Sequence, residues 1–481
     1  MNVSEYELYD GLGLSALLYA KEVSPVELLR CAIELAERRG ESCNAIIYPK
    51  YQAALNSAEN RELEGAFGAL PFLLKDSGLA SKFLPSSMGS RMFANTNSSI
   101  DSTLNVKFQA AGLHAFARTT VPEFNMAPTT EALQNGGPTR NPWDLTRSSG
   151  GSSGGAAVSV ASRIVPIAHG SDGGGSVRIP ASCCGVFGLK PSRGLIPFGP
   201  LRGEGWGGLA TDGVLTRSVR DTAATLDAIA GMELGAPYAA PSQPGAYLAS
   251  IQKQFDRPQR VAMWVTAWDE IPVAAECQDA VRQAGKLLQD LGHEVVEHPL
   301  PNLNYSSFVE AIGDVMASNV TVTVNGRLRL EPKHNPQDEL EPAIYDAFNL
   351  GKHLTAEKYI LALNRFHSIS RLMANYMQKF DFVLTPTLTQ LPLPLGSLSM
   401  NDDFRSFRKK AGLYTAFLAI INASGQPAAS IPLYWTKTGI PVGVQLIGRF
   451  GADGDVLKLS SQLEFSHPWK DLQPPHSDKV H

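Results

Sequence analysis

FGALPFLLK, residues 67–75, is a short apolar run entered through glycine and proline and closed by a lysine. Its length and apolar density suit a buried strand, and a charged residue ending such a strand is unusual. Residues 104–118 (LNVKFQAAGLHAFAR) read as a helix broken at Gly112 and followed by a short strand, and 156–168 (AAVSVASRIVPIA) as a helix running into a strand. Helices alternating with short apolar strands predict an α/β fold, a central mixed and mostly buried sheet covered by helices.

Working outward, Ser24, Pro25 and Glu27 mark the start of a helix over 24–40, with Arg38 and Arg39 in its last turn and Gly40 as its stop. DFVLTPT (381–387) and PVGVQLIG (441–448) read as further sheet strands. Between about 236 and 375 the texture changes: a proline-rich opening (APYAAPSQPG), a strand-like VAMWVTA (261–267), then long helical patterns such as CQDAVRQAGKLLQDLG (277–292). We expect one large domain over 1–481, with its core at 68–235 and 376–460 and a variable, mainly helical elaboration at 236–375.

The chain of 481 residues is 43% apolar and 18% charged, and its net charge of -4 is spread without blocks. Nothing in this balance favours nucleic acid or an anionic membrane as partner. The five cysteines, Cys31, Cys43, Cys183, Cys184 and Cys277, lack the paired spacings of a zinc site or a disulfide framework, which points to reduced thiols. The opening MNVSEYELYDGLG lacks a basic region leading into an apolar run, and no apolar stretch reaches the ~18 residues of a spanning helix. The expectation is a cytoplasmic protein without membrane contact.

Two glycine–serine clusters carry the chemistry: SSGGSSGG (148–155) and GSDGGGSVR (170–178). Both lie tight against apolar or helix-forming sequence, where a floppy linker is out of place. Consecutive glycines let backbone N–H groups converge on one point, as donors for a developing oxyanion beside a nucleophile. Ser176 is thus a nucleophile candidate. It needs a base, and no histidine sits in a nucleophile-elbow context. A desolvated lysine is the other usual base, and Lys75 is the best placed in the chain. No P-loop or HExxH occurs, and Gly11-Leu12-Gly13 does not follow a strand, so no cofactor and no metal are expected.

Lys75 in LPFLLKD, GGSSGG at 150–155 and GSDGGGSVRIPASCCGVFGLKPSRG at 170–194 together resemble the amidase signature family of serine hydrolases. PTRNPWD (138–144), GVLTRSVRD (213–221), DFVLTPT and GIPVGVQLIG (439–448) follow in the family's order. The resemblance implies an amidase that cleaves a carbon–nitrogen amide-type bond through an acyl-enzyme. By its motif positions, Ser176 is the nucleophile, Ser152 the serine after a cis peptide bond, 24 residues earlier, and Lys75 the base. It further implies an oxyanion hole from the backbone of Gly173, Gly174, Gly175 and Ser176. Ser153, Asp172 and Arg178 match positions that support the triad by hydrogen bonding, while Met126, Asn125 and Trp206 match or flank the substrate pocket.

At the Gly173 position the family more often has threonine, a departure expected to loosen the loop. The substrate expected is a small hydrophobic amide, anilide or lactam, or else a carbamate or ester, acted on with water, and the 236–375 segment is expected to shape its pocket. A homodimer is common among such relatives. Two other readings stand beside this one. The first is the glutaminase-type subunit of a transfer-RNA-dependent amidotransferase complex, which shares the triad; the second is a non-catalytic binding protein on the same fold.

Overall fold

The run ending at Lys75 is a strand buried at every position. The computed structural model describes residues 1–241 and 246–475, so residues 242–245 of the proline-rich stretch and 476–481 lie outside the described residues. In chain order the strands are β1 (Ile46–Ile47), β2 (Leu70–Lys75), β3 (Leu113–Thr119), β4 (Arg140–Asn141), β5 (Asp144–Ser148), β6 (Ile167–Asp172) and β7 (Phe187–Lys190). They continue with β8 (Thr211–Thr216), β9 (Arg260–Met263), β10 (Glu294–Glu297), β11 (Phe382–Pro386), β12 (Ala428–Trp435) and β13 (Pro441–Gly448).

All but the β4–β5 pair join one 11-stranded sheet in the order β1-β3-β2-β6-β8-β7-β12-β13-β11-β9-β10. It is mixed: β3, β2 and β6 run parallel, β6 through β11 pair antiparallel, and β11, β9 and β10 are parallel again. Strands β2, β8 and β13 are buried throughout, the signature of a sheet covered on both faces. The edges are blunted by two-residue β1 and by the largely exposed β10, whose sequence EVVE puts a glutamate at each end. The chain is therefore a single α/β domain around a large mixed sheet flanked by helices.

The middle segment is not only helical. It contributes β9 and β10, joined by the Ala275–Asp290 helix, and β9 pairs with β11. Its longest helices, Tyr305–Leu330 and Ala356–Tyr376, pack on each other.

The N-terminal helix starts with the expected capping box of Ser24 and Glu27 but does not stop at Gly40. A π-helical turn over Ala36–Gly40 carries it onward. Gly40 serves close packing instead, since a Cβ there would lie 2.8 Å from Ile46 Cγ1. The turn away falls at Asn44, with φ 52°. All five cysteines are free and buried.

Candidate active site

Strand β2 delivers Lys75 to a fully buried position, and its Nζ donates to Ser152 Oγ at 2.8 Å, Ser171 Oγ at 2.8 Å and the Ser171 carbonyl at 3.3 Å. Burial pushes its pKa down to about 7, against the opposing pull of Asp212, Asp172 and Asp76. A lysine poised there is partly neutral near pH 7 and can accept a proton.

Ser152 follows a cis peptide bond from Gly151. Gly151 is glycine because a Cβ would lie 2.2 Å from the Thr129 carbonyl oxygen. Ser176 opens the turn after β6, between the glycine run and the Arg178–Cys184 helix. Ser152, Ser171 and Ser176 line one cavity of about 300 Å³, with Lys75 directly behind Ser152. The Ser153 N–H donates to the Ser176 carbonyl at 3.2 Å, tying the two serine loops together.

The glycine loop is held from below by Asp172. Its carboxylate accepts from the Gly175 N–H at 2.7 Å, from the Val177 N–H at 3.2 Å, and from Arg178 Nε and Nη2 at 2.9 Å each. Burial raises the Asp172 pKa, but the adjacent Arg178 guanidinium outweighs it and holds the carboxyl well below the usual carboxylate range. Arg178 also donates to Gln445 Oε1 and Asn422 Oδ1, both at 2.6 Å, so this buried pair is fully hydrogen-bonded. One expectation is corrected here. The Gly175 N–H is committed to Asp172 at 2.7 Å, and Gly175 is not among the residues that line the cavity. The N–H groups of Gly173, Gly174 and Ser176 make no hydrogen bond within the described residues.

Nor is the loop loosened by glycine at 173. A Cβ there would lie 2.6 Å from Trp206 Cε3 and 2.7 Å from Cζ3, so the indole occupies the space of the missing side chain. Trp206, Gly207 and Gly208 all take left-handed φ of 55°, 63° and 80°, a turn that aims the indole inward. A Cβ on Gly207 would meet Leu363 of the Ala356–Tyr376 helix at 2.5 Å, which seats this turn on the middle segment.

Met126, Asn125 and Trp206 all line the cavity, joined by Met88, Phe124 and Phe198 on its apolar side. The sequence did not reveal its polar side: Ser77, Arg202, Glu204, Asp212, Asn319 and Thr323. Asn319 and Thr323 come from one face of the Tyr305–Leu330 helix, four residues apart. Ser171 and His169 were also unforeseen; they meet Lys75 because β2 and β6 lie side by side in the sheet. His169 Nδ1 accepts the Lys75 backbone N–H at 3.2 Å, so its proton sits on Nε2, which donates to Asp212 Oδ1 at 3.1 Å.

Lys75 thus lies hydrogen-bonded to Ser152 and Ser171 behind a cavity that also holds Ser176. The family model for amidases matches residues 27–457, and the chain belongs to the amidase family, enzymes that hydrolyse amide bonds. It is 30% identical over 487 residues to the 6-aminohexanoate-cyclic-dimer hydrolase of Paenarthrobacter ureafaciens, covering 98% of both chains. The solved structure of a 6-aminohexanoate cyclic dimer hydrolase complexed with substrate superposes with a TM-score of 0.92 at 29% identity, over 98% of this chain and 99% of that one. A bacterial aryl acylamidase of the amidase signature family gives 0.86 at 27% identity over 96% of each.

Proposed function

We propose that Ser176 is the nucleophile, Ser152 the proton relay and Lys75 the base of an amidase acting on a small, partly apolar amide. The observation that carries this reading is the 2.8 Å contact between Lys75 Nζ and Ser152 Oγ on the cavity that also holds Ser176. Neutral Lys75 takes the Ser152 hydroxyl proton while Ser152 takes that of Ser176, whose Oγ bonds to the amide carbon. The carbonyl oxygen becomes an oxyanion facing the N–H groups of Gly173, Gly174 and Ser176. As the carbon–nitrogen bond breaks, Ser152 returns a proton to the leaving nitrogen and is reprotonated by Lys75. Water then cleaves the acyl-serine by the same relay.

For the substrate, Met88, Phe124, Met126, Phe198 and Trp206 favour an apolar acyl or aryl body. About 300 Å³ admits a small molecule and not a folded chain. Lactams and anilides fit this description, in line with the activities named for the two structural relatives, and carbamates share the same carbonyl chemistry. The 236–375 segment tailors the pocket through Asn319 and Thr323. The same reading makes the enzyme cytoplasmic, in keeping with five reduced thiols, and a homodimer, in keeping with the exposed Val322, Leu330, Ile360 and Leu361 on the paired middle helices. Among the described residues no helix is long and apolar enough to cross a membrane.

The test is release of amine by the purified chain from lactam, anilide, carbamate and glutamine substrates. Turnover of a lactam or anilide, lost in both Ser176→Ala and Lys75→Ala, is the expected result. Activity surviving Ser176→Ala overturns the nucleophile. Activity on glutamine alone overturns the substrate class.

A further inference from the structure

Three carboxylates surround Lys75: Asp76 beside it in sequence, Asp172 at the end of β6 and Asp212 on β8. Two are already answered. Asp172 is ion-paired with Arg178 and accepts backbone N–H groups of its own loop. Asp76 accepts the Ser86 and Ser87 hydroxyls and the N–H groups of Ser87 and Gly89. The Asp212 carboxylate has a single partner among the described residues, the His169 imidazole, and it is only 4% exposed, on the wall of the cavity that holds Ser152 and Ser176.

His169 is fully buried, and burial, the largest influence on it, lowers its pKa despite the Asp212 contact, so the ring is neutral. It leaves the Asp212 charge uncancelled. The remaining cation facing this region, Arg118 on β3, is turned to the carbonyls of Lys75, Leu79, Leu84 and Pro85. Of the three carboxylates that favour protonated Lys75, Asp212 is thus the one whose sole hydrogen-bond partner among the described residues is a neutral ring. Strands β6 and β8 pair with Asp172 opposite Thr211 and His169 opposite Val214, a register that puts Asp212 level with Ser171, itself hydrogen-bonded to Lys75 Nζ.

We infer that Asp212, held by His169, is a positioning residue of the active site whose carboxylate sets how readily Lys75 holds a proton, and with it the acid limit of the enzyme. This rests on the reading of Lys75 as base. A base works only when neutral, so activity falls as pH drops through its pKa, about 7 here. A neighbouring negative charge favours protonated Lys75. Removing it lowers that pKa, and the acid limb of kcat/KM moves to lower pH.

The experiment compares pH profiles of kcat/KM for the wild type, Asp212→Asn and Asp212→Glu across about pH 5 to 9. Asparagine still accepts the His169 N–H but carries no charge, and its acid limb is expected roughly one pH unit lower. Glutamate retains the charge, and its limb is expected to stay in place. Should the asparagine variant not fold, Asp212→Ser removes the same charge in a smaller side chain and carries the same expectation. An acid limb that stays put or rises in the neutral variants overturns the inference. A raised KM with an unmoved limb also overturns it and assigns Asp212 to substrate binding. If Lys75→Ala keeps its activity, the base reading itself fails, a result separate from any shift at Asp212.

Discussion

The molecule buries two lysines at strand ends, and only one of them reaches the serines of the cavity. Lys75 ends β2 and Lys190 ends β7; they are 0% and 1% exposed, and burial lowers the pKa of both. Lys190 Nζ donates to the Pro191 carbonyl at 2.7 Å and does not reach the cavity. Lys75 donates to two hydroxyls, those of Ser152 and Ser171, and both residues line the cavity with Ser176. A depressed pKa is thus a consequence of burial that a structural lysine shares. What distinguishes a base is a proton donor within reach and an open path from that donor to the substrate.

Replacing each lysine by methionine tests this contrast most severely. Lys75→Met should lower kcat/KM about a thousandfold in protein that remains folded; activity within about tenfold of wild type would make Lys75 structural. Gly173→Thr should cost about a hundredfold in kcat, since the new side chain collides with Trp206. Adding Trp206→Ala to it should recover much of that loss, and a strictly additive double variant would show that the indole does not support the oxyanion loop. Ser171→Ala, which removes one of the two hydroxyls on Lys75, should reduce kcat about tenfold with little change in KM. Lys190→Met should leave kcat/KM within about threefold of wild type, measured on protein that remains folded. Its effect belongs in the thermal midpoint, which falls because Asp453 and Asp172 lose a nearby cation.

The strand ending on Lys75 and the two glycine–serine clusters were legible because each is a local signal. An apolar run, a capping box and consecutive glycines depend on neighbours a few residues away, and the order of the motifs pointed to the family. By the same token the helix stop assigned to Gly40 failed. A glycine required by the approach of Ile46 looks identical, in sequence, to one required by a left-handed turn.

By itself, then, the amino-acid sequence determined the fold class, the hydrolytic family and the candidates Lys75, Ser152 and Ser176. Tertiary structure alone decided their surroundings. Trp206 fills the space above Gly173, the Gly175 N–H is taken by Asp172, and Asn422, 250 residues from Asp172 in the chain, donates to that carboxylate. His169 links Lys75 to Asp212 only because β2, β6 and β8 lie side by side in one register. Such contacts depend on which strands become neighbours and on how they align, and a periodicity read along a single segment contains neither.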